Sequence, residues 1–318
     1  MKRNTLILIS ILICIFLCSC AKNESIQISD TGKPIIVATI FPQYDFLREI
    51  AKDKADIYLL IPPGGESHSY EPSPSDIINI KKSDLFVYAG GNVDIWADKI
   101  LDSAQIASSK TMALTDLVTL ICEDHDHDHD HDHDHSDHSS SHSEYDEHVW
   151  TSPANAIKIC NSLCDKLCMI DQENAEYYRA NCESYTQKLK ELDANIRQIV
   201  DSAKRKTIVF ADRFPIRYFT EEYGIEYMAA FPGCAAETEP GPKTLASLID
   251  EVRHNDIPVV FYREFSNQKV ADLVCESTNA KKLLFHSCHN LSAEDFESGE
   301  NYYTIMSKNI LNLKEALN

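Results

Sequence analysis

The residues best equipped for chemistry are the histidines, of which the chain has thirteen. Eight fall in one run. His125, His127, His129, His131, His133 and His135 alternate with Asp, and His138 and His142 extend the series. Imidazole is mostly neutral at pH 7 and is a good ligand for zinc, copper and nickel. The flanking Asp carboxylates raise the His pKa values and weaken binding as pH falls. No packed core can be built from such a run, so residues 123–147 read as a disordered loop. A floppy ligand set loses entropy on binding, which favours a gathering or sensing role over that of main site. The loop's r.m.s. span, on the order of 25 Å, suffices to hand an ion to a nearby cleft.

Two further histidines sit on stiffer chain. His68 lies in Pro62-Pro63-Gly64-Gly65-Glu66-Ser67-His68-Ser69-Tyr70-Glu71-Pro72-Ser73-Pro74. The prolines and glycines fix a sharp exit from a strand. Ser73, Pro74 and Asp76 then spell a capped helix start. His148 lies in Glu147-His148-Val149-Trp150-Thr151-Ser152-Pro153, ahead of a second Ser-Pro helix start. Two histidines on rigid loops ahead of two capped helices form a pattern worth more than either alone.

The elements that position them are strands alternating with helices. Strands are predicted over residues 34–39, 55–61 and 85–89, with a helix over 45–51 between the first two. A second series has strands at 207–210, 226–230, 258–262 and 282–285. Helices are predicted at 218–223, 245–254 and 302–316. Such alternation predicts an α/β fold of two lobes, each a parallel sheet covered by helices. Ligands of such sheets bind at the carboxyl ends of the strands. Between the lobes, residues 171–204 read as one long helix. Asp171 suits its N-cap, Leu189, Leu192, Ile196 and Ile199 form an apolar stripe, and no Gly or Pro interrupts it. It is the spine joining the two lobes. The expected organisation is a 1–20 signal peptide, a 21–33 tether, a 34–170 lobe, the 171–204 helix and a 205–318 lobe.

Met1-Lys2-Arg3 and the apolar run after it have the form of a signal peptide, too short to span a bilayer comfortably. It ends in Leu17-Cys18-Ser19-Cys20, which resembles a bacterial lipobox and implies lipid on Cys20, with Cys18 as the alternative. The protein is expected outside the cytoplasm, anchored to the membrane by that lipid. The formal net charge of −20 argues against nucleic acid as a partner. Eleven acids and no Lys or Arg lie between Glu123 and Glu147, so the rest of the chain is only mildly acidic. Cys122, Cys160, Cys164, Cys168, Cys182, Cys234, Cys275 and Cys288 follow the leader. Cys160, Cys164 and Cys168 share one helix face, where neighbours do not usually meet disulfide geometry, so buried free thiols are expected.

From about residue 34 to its end the chain resembles the substrate-binding lipoproteins of zinc and manganese ABC importers. The likeness is carried by residues 62–74, by the His–Asp insert with His148-Val149-Trp150-Thr151-Ser152-Pro153, and by Arg217-Tyr218-Phe219 with Tyr223-Gly224. It implies one metal held between two lobes, with His68 and His148 as first-lobe ligands. The family's last ligand, usually an acid after the final strand, aligns with His286. The family's third ligand position holds Arg213, a cation that cannot ligate zinc. Arg213 is expected to pair with Asp212 or Glu264. The remaining donor is then His289, Glu264, Glu237 or Cys234, or a water, with His289 or an acid preferred.

Three imidazoles suit Zn²⁺ better than Mn²⁺, which favours oxygen. The resemblance therefore implies a monomeric zinc receptor that serves an ABC permease and its ATPase, with manganese or another divalent metal as the alternative cargo. A surface zinc buffer or adhesin acting through the His-rich loop is the second alternative. Three histidines and an open position also describe a catalytic zinc, with Glu71 or Glu264 as base. No nucleophile elbow, His-Glu-x-x-His helix or phosphate loop accompanies them, so an enzyme is not expected.

Overall fold

The computed structural model describes residue 28 and residues 31–122, 145–231, 233 and 240–318. Cys20, the histidines from His125 to His142, Cys234 and Glu237 lie outside the described residues. Strands β1 (Ile35–Ala38), β2 (Asp56–Leu59), β3 (Leu85–Tyr88) and β4 (Thr111–Ala113) form one sheet in the order β2-β1-β3-β4. Strands β5 (Thr207–Arg213), β6 (Glu226–Phe231), β7 (Val259–Tyr262) and β8 (Lys281–Leu284) form a second in the order β6-β5-β7-β8. Every pairing is parallel. Helices on both faces explain the unbroken apolar runs: Ile36, Val37 and Ala38, like Val259, Val260 and Phe261, are wholly buried.

Strand β4 and the helix Lys269–Ser277 were not predicted, and the helix Phe41–Ala51 begins four residues before the expected start at Asp45. Pro42 stands in its first turn, where its missing N–H costs nothing. Strand β5 runs on to Arg213, with a register irregularity after Phe210. The two Ser-Pro starts form as expected. Ser73 Oγ accepts from the Asp76 amide at 3.3 Å, and Asp76 accepts from the Ser73 amide at 2.8 Å, ahead of the helix Pro74–Lys82. Ser152 Oγ accepts from the Asn155 amide at 3.3 Å, ahead of the helix Pro153–Ile170.

The spine is the 27-residue helix Ala175–Asp201. Asp171 caps a short 3-10 turn, Gln172–Asn174, that leads into it. Its buried stripe is Tyr178, Cys182, Tyr185, Leu189, Leu192, Ile196 and Val200; Ile199 is only half-buried. Each aliphatic side chain of that stripe contributes about 1.5–3 kcal/mol by leaving water. The spine packs on the helix Pro153–Ile170, where Cys160, Cys164, Cys168 and Cys182 are buried free thiols. Burial pushes the Cys160 thiol well above its ordinary range.

One apolar core takes in side chains of both lobes and of the spine, from Ile36 and Phe46 through Leu189 to Phe210 and Phe261. The lobes are also tied directly. Tyr302 donates its amide to Asp45 Oδ2 at 2.9 Å and its hydroxyl to the Trp150 carbonyl at 2.8 Å. The Gly64 amide donates to the Leu291 carbonyl at 2.7 Å, and Asn290 Nδ2 donates to the Gly65 carbonyl at 2.8 Å. Gly64 has φ +79°, a conformation that favours glycine, so the turn before His68 is held by its own backbone. Among the described residues no helix is long and apolar enough to cross a membrane.

Candidate metal centre

The carboxyl edges of the two sheets face one another, and three imidazoles meet there. His68 comes from the loop after β2, His148 from the segment ahead of the helix Pro153–Ile170, and His289 from the loop after β8. Their candidate ligand nitrogens all lie within 4.8 Å of one another. The ring centroids are 6.3 Å apart for His68 and His148, 5.5 Å for His68 and His289, and 5.4 Å for His148 and His289. Zinc–nitrogen bonds of about 2.0–2.1 Å place tetrahedral donors about 3.4 Å apart, so small side-chain rotations close the cluster on an ion. His148 and His289 are buried, whereas His68 is exposed. His68 is thus the one imidazole of the three that solvent reaches freely.

Each buried imidazole is fixed by neighbours. Asp146 Oδ1 lies 2.9 Å from His148 Nδ1 and also accepts the His148 amide at 2.7 Å. A carboxylate on Nδ1 holds the tautomer whose Nε2 carries the lone pair. Asp146 is itself buried, and from the other lobe the Tyr218 hydroxyl donates to its carbonyl at 2.7 Å. Trp150 lies with its ring centroid 5.4 Å from that of His148 and 5.3 Å from that of His289. Its Nε1 donates to the Ser287 carbonyl at 2.9 Å, tying the His289 loop to the first lobe. Ser67 Oγ lies 2.7 Å from His289 Nε2. Burial, then the neighbouring His148, His68 and Arg263, push the His289 pKa well below the ordinary histidine value. A neutral imidazole at pH 7 is the form that ligates metal.

His286 stands apart from this cluster. Its Nδ1 accepts the Cys288 amide at 3.0 Å and lies 3.7 Å from Glu264 Oε2. Asn309 brackets its backbone, accepting its amide at 2.9 Å and donating to its carbonyl at 2.8 Å. The final loop therefore brings His289, not His286, to the other two imidazoles. Cys288, with φ 60°, reverses the chain between them. Glu264 also stays out of the cluster. It accepts the Ser287 amide at 2.8 Å and the Ser287 hydroxyl, and so holds the His289 loop. Burial acts to raise its pKa, but His286 and the Ser287 hydrogen bonds outweigh burial and hold the carboxyl below its usual range.

Arg213 does not pair as expected. Asp212 Oδ1 accepts the Arg213 amide at 2.8 Å and sits 3.6 Å from Arg263 Nε, so Arg263 is the nearer cation. The supporting residues Ser67, Asp146 and Tyr218 were not foreseen. The signal for Asp146 is its place two residues before His148, where an acid can reach both the ring and the amide.

The fold and this cluster define a two-lobed α/β binding protein with imidazoles from both lobes at its cleft. The chain belongs to the ZnuA family, described as zinc-uptake complex component A periplasmic, whose profile matches residues 36–316. It is 33% identical over 310 residues to the high-affinity zinc uptake system protein ZnuA of Bacillus subtilis, covering 96% of this chain and 95% of that protein. It is 32% identical over 316 residues to the zinc-binding lipoprotein AdcA of Streptococcus pneumoniae, and spans 61% of that longer relative. Among solved structures, the Zn(II)-bound ZnuA-like domain of Streptococcus pneumoniae AdcA superposes with a TM-score of 0.74 at 30% identity, over 90% of this chain and 99% of that one. The metal-dependent lipoprotein YcdH of Bacillus subtilis gives 0.75 at 29% identity, over 90% of this chain and 100% of that one.

Proposed function

We propose that this protein is the extracytoplasmic zinc receptor of an ABC importer. It captures Zn²⁺ on His68, His148 and His289 and delivers the ion to a membrane permease driven by its ATPase. The observation that carries this reading is the meeting of three imidazoles, two from one lobe and one from the other, within 4.8 Å. Nitrogen donors favour zinc over manganese. The Zn(II)-bound relative and the zinc-uptake family support the same cargo.

The mechanism follows from the burial pattern. Exposed His68 meets the ion, and buried, preset His148 and His289 complete three bonds to it. Each bond to His289 ties the second lobe to the first, so bound metal favours the form in which the lobes are joined. A permease that recognises this form discriminates the loaded from the empty receptor. The chain carries zinc as cargo and turns nothing over. Lipid on Cys20 anchors it beside the permease as a monomer, and the His–Asp run gathers ions for the cleft.

The test is a zinc titration against a competing chelator, with protein lacking residues 1–22 and 124–142. One tight site is expected to remain. His68→Ala, His148→Ala or His289→Ala is expected to remove it, while His286→Ala leaves affinity within a few-fold. Loss of tight binding on loop deletion alone would sink the cleft reading and make the His–Asp run the main site.

A further inference from the structure

A hydroxyl of the first lobe touches a candidate ligand of the second, and capture on three histidines gives that contact no part. Ser67 Oγ lies 2.7 Å from His289 Nε2. Both residues are buried, Ser67 at 4% exposure and His289 at 8%. Among the described residues Ser67 is the only hydrogen-bond partner of the His289 ring. Nδ1 is therefore the ring nitrogen left for an ion.

The chains on either side of this contact are pinned to one another. The Gly64 amide donates to the Leu291 carbonyl at 2.7 Å, and Asn290 Nδ2 donates to the carbonyls of Pro62 and Gly65 at 3.0 and 2.8 Å. The Tyr70 amide donates to the Ser67 carbonyl at 3.1 Å, and the His289 amide to Ser287 Oγ at 3.3 Å. An ion on Nε2 would displace the Ser67 hydroxyl and leave it buried without a partner, which is costly. An ion on Nδ1 keeps the bond, because a hydroxyl can turn to accept from Nε2–H. Metal-bound histidines usually give their second ring N–H to such an outer partner, and Asp146 stands in that place beside His148 Nδ1. The two buried ligands thus present opposite nitrogens, Nε2 from His148 and Nδ1 from His289.

We propose that Ser67 is a positioning residue that makes His289 bind the metal through Nδ1, and that this bond between the lobes tightens on loading. A cation on Nδ1 draws electrons from the ring and makes Nε2–H a stronger donor. The ion then strengthens a link between the lobes on the far side of the imidazole from itself. The proposal rests on the zinc reading above.

The test is the crystal structure of the zinc-loaded protein, read for the His289 ring atom that faces the metal, with zinc competition titrations on two variants. Nδ1 adjoins the atom that carries Cβ and Nε2 does not, so the two placements differ plainly. Zinc on Nδ1 is expected, with Ser67 Oγ still hydrogen-bonded to Nε2. Ser67→Ala is expected to weaken zinc binding about tenfold, and Ser67→Thr, which keeps the hydroxyl, to stay within about threefold of the parent. Zinc on Nε2 with the Ser67 hydroxyl turned away would overturn the proposal and leave the zinc reading intact. An affinity unchanged or tightened in Ser67→Ala would overturn the positioning role. Zinc bound to the chain but not to His289 would refute the zinc reading itself. The nitrogen assignment is made on the parent and does not depend on how either variant folds.

Discussion

Asp146→Asn removes one charge and little else. The carboxylate sits 2.9 Å from His148 Nδ1 and accepts the His148 amide through the same oxygen. An amide oxygen in its place still accepts both bonds, so the loop keeps its shape. What is lost is the anion that fixes the ring tautomer and raises the basicity of Nε2. Removing such an outer partner of a metal-bound histidine typically costs 10–100-fold in metal affinity, or about 1.4–2.8 kcal/mol. The burial of Asp146 at 1% exposure places the loss toward the upper end, because little water screens the charge. The assay is a zinc competition titration at pH 7 on the variant and parent, with thermal unfolding of the metal-free proteins as the control for folding. A zinc affinity within threefold of the parent, with unfolding unchanged, would refute the reasoning: His148 would then not be tuned through Asp146.

Trp150→Phe keeps the ring against His148 and His289 but loses the bond to the Ser287 carbonyl; about 1–3 kcal/mol of stability should go with it, read by denaturant unfolding. Leu189→Ala, in the wholly buried stripe of the spine, is expected to cost about 2–5 kcal/mol in the same measurement, with zinc affinity of the folded fraction retained. Asp94 has its pKa raised to about 6 by burial, against which the Ala89 amide and Thr39 hydroxyl work. Its folded value exceeds its ordinary one, so its contribution is full below pH ~4 and is lost as pH rises through ~6, on the order of 3 kcal/mol in all. The unfolding free energy of the metal-free parent minus that of Asp94→Asn should therefore fall between pH 4 and 7; a flat difference would contradict this.

The parallel sheets were legible because strands buried on both faces leave unbroken apolar runs, as in Ile35-Ile36-Val37-Ala38. The three-residue strand β4 was not, since Thr111, Met112 and Ala113 carry too little pattern to distinguish an edge strand from a loop. His68 and His148 could be singled out because Ser-Pro caps downstream fix where their loops end. The last loop was ambiguous because His286 and His289 are the same residue type three positions apart, and it is His289 that the structure brings to His68 and His148. Which one turns inward depends on long-range contacts: Asn309 holding the His286 backbone, Glu264 holding Ser287, and Asn290 reaching the loop before His68. The cap at Ser292 does carry a local hint, since His289 precedes it as His148 precedes Ser152. The pairing of Asp212 with Arg263 and not with the Arg213 side chain was likewise invisible locally, because it is set by the neighbouring strand β7.

The most direct test of the central claim is a crystal structure of the zinc-loaded protein with anomalous diffraction collected across the zinc edge. The account predicts a single strong peak between the lobes, about 2.0–2.1 Å from one nitrogen each of His68, His148 and His289, with His286 still bonded to the Cys288 amide. A peak at His286 and Glu264, or none in the cleft while zinc remains bound to the chain, would contradict it.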